Sequence, residues 1–217
     1  MQKETIDTLG NQKRTNYALN QKDRQSFIKE VTDGLLPPSA YFAMNVMMNK
    51  KGYNSFDEVL SQGLHALAPE KFEEIAEVSG ALILDVRNNR EFAKGFIPQS
   101  VNIGLDGDFA PWVGALIADV NQPILLVTEK GTEEEAVTRL SRVGFDHILG
   151  FLEGGFKAWE MSGKETDFIN RISAEQFETE IKGNEEKIID IRKESEYNAE
   201  HIHEAYSMPL AYINEWI

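Results

Sequence analysis

Few side chains in this sequence are equipped for chemistry, and the best placed of them follow an apolar run. After PILLV comes Thr128-Glu129-Lys130-Gly131-Thr132-Glu133-Glu134, a loop leading into an acid-led helix. A threonine hydroxyl such as that of Thr128 is a poor nucleophile without an adjacent base. The four histidines, His65, His147, His201 and His203, all lie outside this stretch. Glu133, Glu134 and Glu135 fall on the first helical turn, where carboxylates suit the helix dipole. That stabilising role is preferred here to a designed negative pocket. The 217 residues include no cysteine, which removes thiol nucleophiles, thiolate metal sites and disulfides from the sequence as it stands.

The other conspicuous residues have simple readings. Asp85 and Arg87 end the run ALILDVR, where they could position a substrate or brace the neighbouring loops as an ion pair. Gly154-Gly155 has the look of a phosphate-binding pair, but a tight turn into a helix is the preferred reading, and Trp159 reads as core. His201 and His203 stand two apart with no third ligand nearby, so zinc is not expected. No calcium-loop pattern is present either. The expectation is a chain without cofactor or metal.

The elements that must position these residues alternate between strand and helix from Leu67 onward. A helix around 69–78 leads into ALILD, a continuous apolar run of the kind buried on both faces of a parallel sheet. A short helix or turn over 88–94, a strand at 100–103 and a mostly helical stretch over 105–120 follow. PILLV at 123–127 reads as a central strand, 132–143 as a helix, HILG at 147–150 as a strand and 154–161 as a closing helix. This alternation points to an α/β layer fold, a parallel sheet flanked by helices.

Residues 1–66 read differently, as loop and helix. Asp23 is a candidate cap for a helix through Phe27, Ile28 and Val31 that Gly34 ends. Leu35-Leu36-Pro37-Pro38 is a stiff connector, and Ser39 a candidate cap for the next helix. That helix carries Tyr41, Phe42, Met44, Val46 and Met48 on a broad apolar surface that needs a packing partner, and Gly52 stops it.

A repeat organises the rest. Residues 67–87, LAPEKFEEIAEVSGALILDVR, align without a gap on residues 172–192, ISAEQFETEIKGNEEKIIDIR. Asp85 meets Asp190 and Arg87 meets Arg192, both 105 residues apart, and the register continues to Leu105 and Leu210. A period this long indicates duplicated domains, since solenoid repeats run to roughly 20–50 residues. The second copy is expected to be a front part, stopping at Ile217 before a counterpart of PILLV.

Composition narrows the function classes. The net charge of −14 argues against nucleic acid as a partner; it serves solubility, with a basic protein partner as the alternative. No run approaches the roughly 18 apolar residues of a membrane span, so no membrane partner is expected. The polar start has no apolar signal core, and the chain reads as cytoplasmic.

LDVRNNREFAKGFIPQSVNI at 84–103 resembles the first signature of the rhodanese-like family, which usually ends in G-H-I-P-G-A. GFLEGGFKAWEMSG at 150–163 is similar to its closing signature. The resemblance implies a parallel sheet wrapped by helices, with the active-site loop at the carboxyl end of the central strand. In the family a cysteine opens a C-x-x-G-x-R type loop. Its inward amides and the following helix N-terminus lower the thiol pKa and stabilise a persulfide or oxyanion. Here Thr128 takes the nucleophile position, Gly131 is kept, Glu133 stands at the arginine position and Phe96 at that of a usual histidine. His201 restores that histidine in the second copy. The resemblance therefore implies a degenerate loop with no catalytic residue. Asp85, Arg87, Gly154, Gly155 and Trp159 would be structural residues near it.

A second resemblance covers the N-terminal stretch. IDTLGNQKRTNYALN and LLPPSAYFAMNVMMNKKGY look like the end of a metallo-β-lactamase-fold domain of the persulfide-dioxygenase-like type, which carries rhodanese-like domains after it. The metal-binding H-x-H-x-D-H motif of that fold is absent from these residues. The expected organisation is a helical tail of such a domain over 1–66, a rhodanese-like domain over 67–168 and the N-terminal part of a second one over 169–217. The expected role is a catalytically inactive module, structural, docking or regulatory. Its partners would be neighbouring domains of a larger protein, with self-association through the incomplete second copy as a further option. The alternative is a part of a sulfurtransferase or persulfide-processing enzyme whose catalytic residues lie elsewhere. A third reading is anion binding without turnover at Thr128–Gly131.

Overall fold

In the computed structural model, residues 6–32, 40–52, 55–181 and 187–216 are described. The chain divides into two units, Met1–Pro38 and Ser39–Ile217. In the first, helix α1 spans Leu9–Thr15 and α2 spans Arg24–Thr32. Thr8 caps α1 by accepting from the Asn11 amide at 3.1 Å. Asp23 caps α2 as expected, its carboxylate accepting from the Ser26 amide at 2.8 Å, which holds its pKa low. Phe27 and Ile28 lie exposed on α2. The expected stop at Gly34, the connector through Pro38 and the Ser39 cap lie outside the described residues.

The second unit begins with α3 (Ala40–Lys51), which ends at Gly52 as expected. Phe42 and Val46 are exposed and Met48 half-buried, while the side chains of Tyr41 and Met44 lie outside what is described. Helix α4 (Phe56–Gly63) falls within the stretch read from sequence as an N-terminal segment, yet it packs on the α/β sheet. Val59 sits in the main core, and a Cβ on Gly63 would lie 2.8 Å from Val137, so only glycine allows this approach.

The remaining elements of the layer are β1 (Ala66–Leu67), α5 (Pro69–Ser79), β2 (Leu82–Asp85), α6 (Asn89–Lys94), β3 (Val101–Asn102) and α7 (Phe109–Leu116). After them come β4 (Ile124–Val127), α8 (Glu133–Ser141), β5 (Ile148–Leu152) and α9 (Gly155–Met161). Among the described residues, β1 to β5 form one parallel sheet in the order β1-β5-β4-β2-β3. The β4 strand is central, and Ile124, Leu125, Leu126 and Val127 are all fully buried. Its side chains alternate between two cores. Ile124 and Leu126 meet α4, α7 and α8 through Val59, Val113 and Val137, whereas Leu125 and Val127 meet α5 and α9 through Phe72 and Trp159. Truncating one such leucine to alanine costs about 2–5 kcal/mol.

The expected helix over 105–120 is shorter at both ends. Gly107 turns the chain at φ 92°, and the backbone at Ile117 is extended. The strand read as HILG is longer, reaching Leu152.

Beyond this layer lie α10 (Ala174–Glu180), β6 (Ile189–Asp190), α11 (Glu194–Ala199), β7 (Tyr206–Ser207) and α12 (Ile213–Trp216). Ser173 and Gln176 form a capping box on α10. The parallel β6–β7 pair reproduces β2–β3 at the repeat offset. Leu84 pairs with Val101 and Asp85 with Asn102; Ile189 pairs with Tyr206 and Asp190 with Ser207. The flanking bonds correspond too, Ile103 N–H to Asp85 C=O at 3.0 Å and Met208 N–H to Asp190 C=O at 2.9 Å. What differs is cover. Leu84 and Val86 are buried, whereas Ile189 and Ile191, 105 positions later, are 49% and 52% exposed. No helix of the described residues is long and apolar enough to cross a membrane.

Candidate functional site

A buried strand that ends abruptly delivers its next residue to the rim of the sheet, and β4 does this with Thr128. Thr128 is 3% exposed. The following residues turn sharply: Thr132 donates to the Glu129 carbonyl through both its amide at 3.1 Å and its hydroxyl at 2.8 Å. Gly131 adopts φ 90°, a left-handed conformation that suits glycine. Helix α8 then opens with Glu133, Glu134 and Glu135 in its first turn. Glu135 pairs with Arg139 at 2.7 Å, and Arg139 also donates to the Leu105 carbonyl at 2.7 Å, tying α8 to the β3–α7 connection.

Glu133 does something that its place in the sequence did not signal. Its carboxylate folds back over the loop and accepts from the Gly131 amide at 2.8 Å. One of the loop's own donors is thus satisfied by an internal anion. Glu129 and Lys130 project into solvent beside it. Chemically, the loop offers a hydroxyl and a carboxylate-bonded amide, with no thiol in reach.

Asp85 and Arg87 meet at the carboxyl end of the neighbouring strand β2. The Arg87 Nη2 donates to Asp85 Oδ2 at 2.5 Å, and its Nε lies 2.9 Å from both carboxylate oxygens. Asp85 is fully buried and Arg87 is 6% exposed. Burial pushes the Asp85 carboxyl above its ordinary range, against the opposing pull of the Arg87 hydrogen bonds and charge. Arg87 also donates to the Gly95 carbonyl at 2.9 Å, and its guanidinium lies 4.4 Å from the centre of the Phe156 ring. Asn102 clasps the same turn, its amide donating to the carbonyls of Asp85 and Arg87, each at 2.9 Å. The geometry is that of a brace between β2, the end of α6 and α9. Sequence reading paired Asp85 with Arg87 but missed Gly95, Asn102 and Phe156. The contact with Gly95 has a counterpart in the second copy, where Arg192 donates to the carbonyl of Glu200, 105 positions on, at 2.8 Å.

The two glycines serve the turn into α9. Both adopt positive φ, 75° at Gly154 and 62° at Gly155, and a Cβ on Gly155 would lie 2.9 Å from the Thr128 carbonyl oxygen. They let the closing helix start against the loop. Trp159 is buried and donates its indole N–H to the Glu165 carbonyl at 2.8 Å. Phe96, which the family resemblance sets at a usual histidine's position, stacks on Phe92 with centroids 4.4 Å apart. In the second copy His201 stacks on Tyr197, with Nδ1 2.8 Å from the Tyr197 carbonyl oxygen. The structure thus gathers Thr128, Gly131, Glu133 and Gly155 at one rim, with the Asp85–Arg87 brace on the adjacent strand.

Comparison with known proteins agrees with this architecture. Residues 68–162 match the rhodanese-like domain family. The thiosulfate sulfurtransferase GlpE of Pseudomonas savastanoi pv. phaseolicola is 29% identical over 94 residues, covering 43% of this chain and 84% of that protein. The adenylyltransferase and sulfurtransferase MOCS3 of Drosophila grimshawi is 31% identical over 83 residues, covering 36% of this chain and 18% of that protein. Among solved structures, a metallo-beta-lactamase from Staphylococcus aureus subsp. aureus COL shares the fold at 24% identity and a TM-score of 0.50. That likeness covers 67% of this chain and 40% of the staphylococcal one. Sequence signatures, parallel sheet and family match coincide, and over residues 68–162 this chain is a rhodanese-like domain.

Proposed function

We propose that the rhodanese-like domain of this chain transfers no sulfur itself and serves as a structural, docking or regulatory module in a larger sulfur-handling protein. The observation that carries this reading is at the loop. Thr128 stands at the family's nucleophile position, and the Glu133 carboxylate already accepts from the Gly131 amide at 2.8 Å. A hydroxyl cannot hold a persulfide sulfur, and carboxylates beside the loop oppose the binding of an anionic sulfur donor.

The larger protein is a fusion of a metallo-β-lactamase-fold hydrolase with rhodanese-like domains. The fold likeness to the staphylococcal metallo-beta-lactamase supports this context. The tail of the hydrolase domain then ends before α4, whose Val59 sits in the rhodanese-like core, and residues 169–217 are the front of a second rhodanese-like domain, a reading supported by the matching β2–β3 and β6–β7 registers. The setting is cytoplasmic, and the partners are the neighbouring domains.

The test is thiocyanate formation from thiosulfate and cyanide by purified protein. A rate no higher than that of heat-killed protein is expected. Turnover above that control overturns the proposal.

A further inference from the structure

At the opposite end of the sheet from Thr128, the amino ends of β2 and β3 border an open groove of about 650 Å3. That volume lies within the range of roughly 300–1,000 Å3 usual for small-molecule sites. Its floor is apolar, formed by Ala76, Ile83, Ile97, Val101 and Ile117. Its wall carries four carboxylates, Glu73, Glu77, Asp119 and Glu165, and no lysine or arginine.

The groove's margin shows which charge this wall holds. Lys164 reaches the Glu73 carboxylate, and its ammonium lies 5.4 Å from the centre of the Trp159 ring, which also lines the groove. An acid and an aromatic face together are a recognised setting for an organic cation. Glu77, Asp119 and Glu165 have no such cation among the described residues. At the lip, Gln99 adopts φ 65°, a left-handed conformation for a non-glycine residue. The same conformation recurs at Glu204 in the second copy, so it belongs to the repeated turn and not to the groove.

We propose that this groove binds a small organic cation, an apolar body carrying an ammonium or guanidinium group. The apolar body covers Ile83 and Val101, and the charge faces Glu77 and Asp119. An anion of the same shape meets only like charge on the wall. The site is separate from the Thr128 loop and does not depend on whether that loop is active.

The test is a titration of isotope-labelled protein, followed by amide shifts, with benzylammonium and separately with benzoate. Saturable shifts at Ile83, Gln99 and Val101 are expected with benzylammonium, with benzoate weaker by about threefold or more. Glu77→Gln combined with Asp119→Asn is expected to weaken benzylammonium by about the same factor and to narrow the gap between the probes. The proposal is overturned if benzylammonium gives no saturable shift up to about 10 mM. It is equally overturned if benzoate binds as well, or if the shifts cluster away from the groove.

Discussion

Asp85 and Asp190 accept matching hydrogen bonds from the arginines two residues after them, yet their carboxyls move in opposite directions from the ordinary value. The Nη2 to Oδ2 distances are 2.5 Å for Arg87 and 2.6 Å for Arg192, and in both pairs the arginine amide donates to Oδ1 at 3.0 Å. Surroundings make the difference. Burial dominates at Asp85 and raises its pKa, whereas at Asp190 the Arg192 hydrogen bonds dominate and hold it at about 2.

Carboxyl carbon shifts followed against pH should therefore separate the two aspartates, Asp190 near 2 and Asp85 above the ordinary 3.8. The linkage signs differ accordingly. The contribution of Asp190 to stability is present above 3.8 and lost as pH falls towards about 2. Asp85 binds its proton more tightly when folded, so its contribution declines as pH rises from 3.8 through its folded value. An Asp85 that titrates below Asp190 contradicts the assigned role of burial.

Breaking the two pairs should have unequal effects. Arg87→Met leaves a buried carboxylate without its partner and is expected to destabilise the domain by about 3 kcal/mol or more in urea unfolding. Arg192 has a side chain 48% exposed, so Arg192→Met should shift the unfolding midpoint far less. Equal shifts would mean that the buried pair is not the brace described.

Installing a thiol tests the loop's acids. Thr128→Cys alone is expected to give little thiosulfate sulfurtransferase activity, because Glu133 and Glu134 disfavour both a thiolate and an anionic donor. Adding Glu133→Gln and Glu134→Gln should raise that activity by about tenfold or more, with a lower thiol pKa measured by alkylation rate. A fully active single variant would show that the acids do not matter.

The left-handed residues recur at the repeat offset: Gln99 has φ 65° and Glu204 φ 67°. For Gln99→Gly, relief of the strain slightly outweighs the added chain entropy, giving a gain of about 0–1 kcal/mol. Gln99→Val should instead destabilise by about 1 kcal/mol or more, since β-branched residues fit this region badly. Thermal unfolding of the pair of variants checks the order.

Hydrogen exchange should grade the two sheets. Amides of Leu125 and Leu126 on the fully buried β4 are expected to exchange at the slowest rates. Those of Ile189 and Ile191, whose side chains are half exposed, should exchange well before them. Matched protection of both regions in a monomeric sample would refute the difference in cover.

Continuous apolar runs were the legible part of this fold. PILLV and ALILD announce interior strands of the sheet; β4 is buried throughout, whereas β2 is fully covered only at Leu84 and Asp85 and leaves Leu82 and Ile83 half-buried. Other elements left fainter traces. Strand β1 is two residues long, too short for any periodicity, and is held by pairing with Phe151 and Leu152. Helix α4 is short, and its membership of the core rests on Val59 and the close approach that Gly63 allows. At the site, the Asp85–Arg87 pair and the tight Gly154-Gly155 turn could be read from residue types at fixed spacing. The Phe156 partner of Arg87 arises only when separate stretches fold together, and the local bonds from Arg87 to Gly95 and from Gly131 to Glu133 depend on the turn that each loop adopts. Residue type alone carries no trace of them.

Arg87 fastens its own strand to the Gly95 carbonyl and to the Phe156 ring, and none of these partners is the residue at position 128. The frame around the loop is thus indifferent to the reagent it frames. Threonine and cysteine are close in size, so an exchange between them at this buried position alters reactivity while leaving the surrounding architecture in place. A scaffold of this kind can exchange the residue at position 128 without passing through a misfolded ancestor.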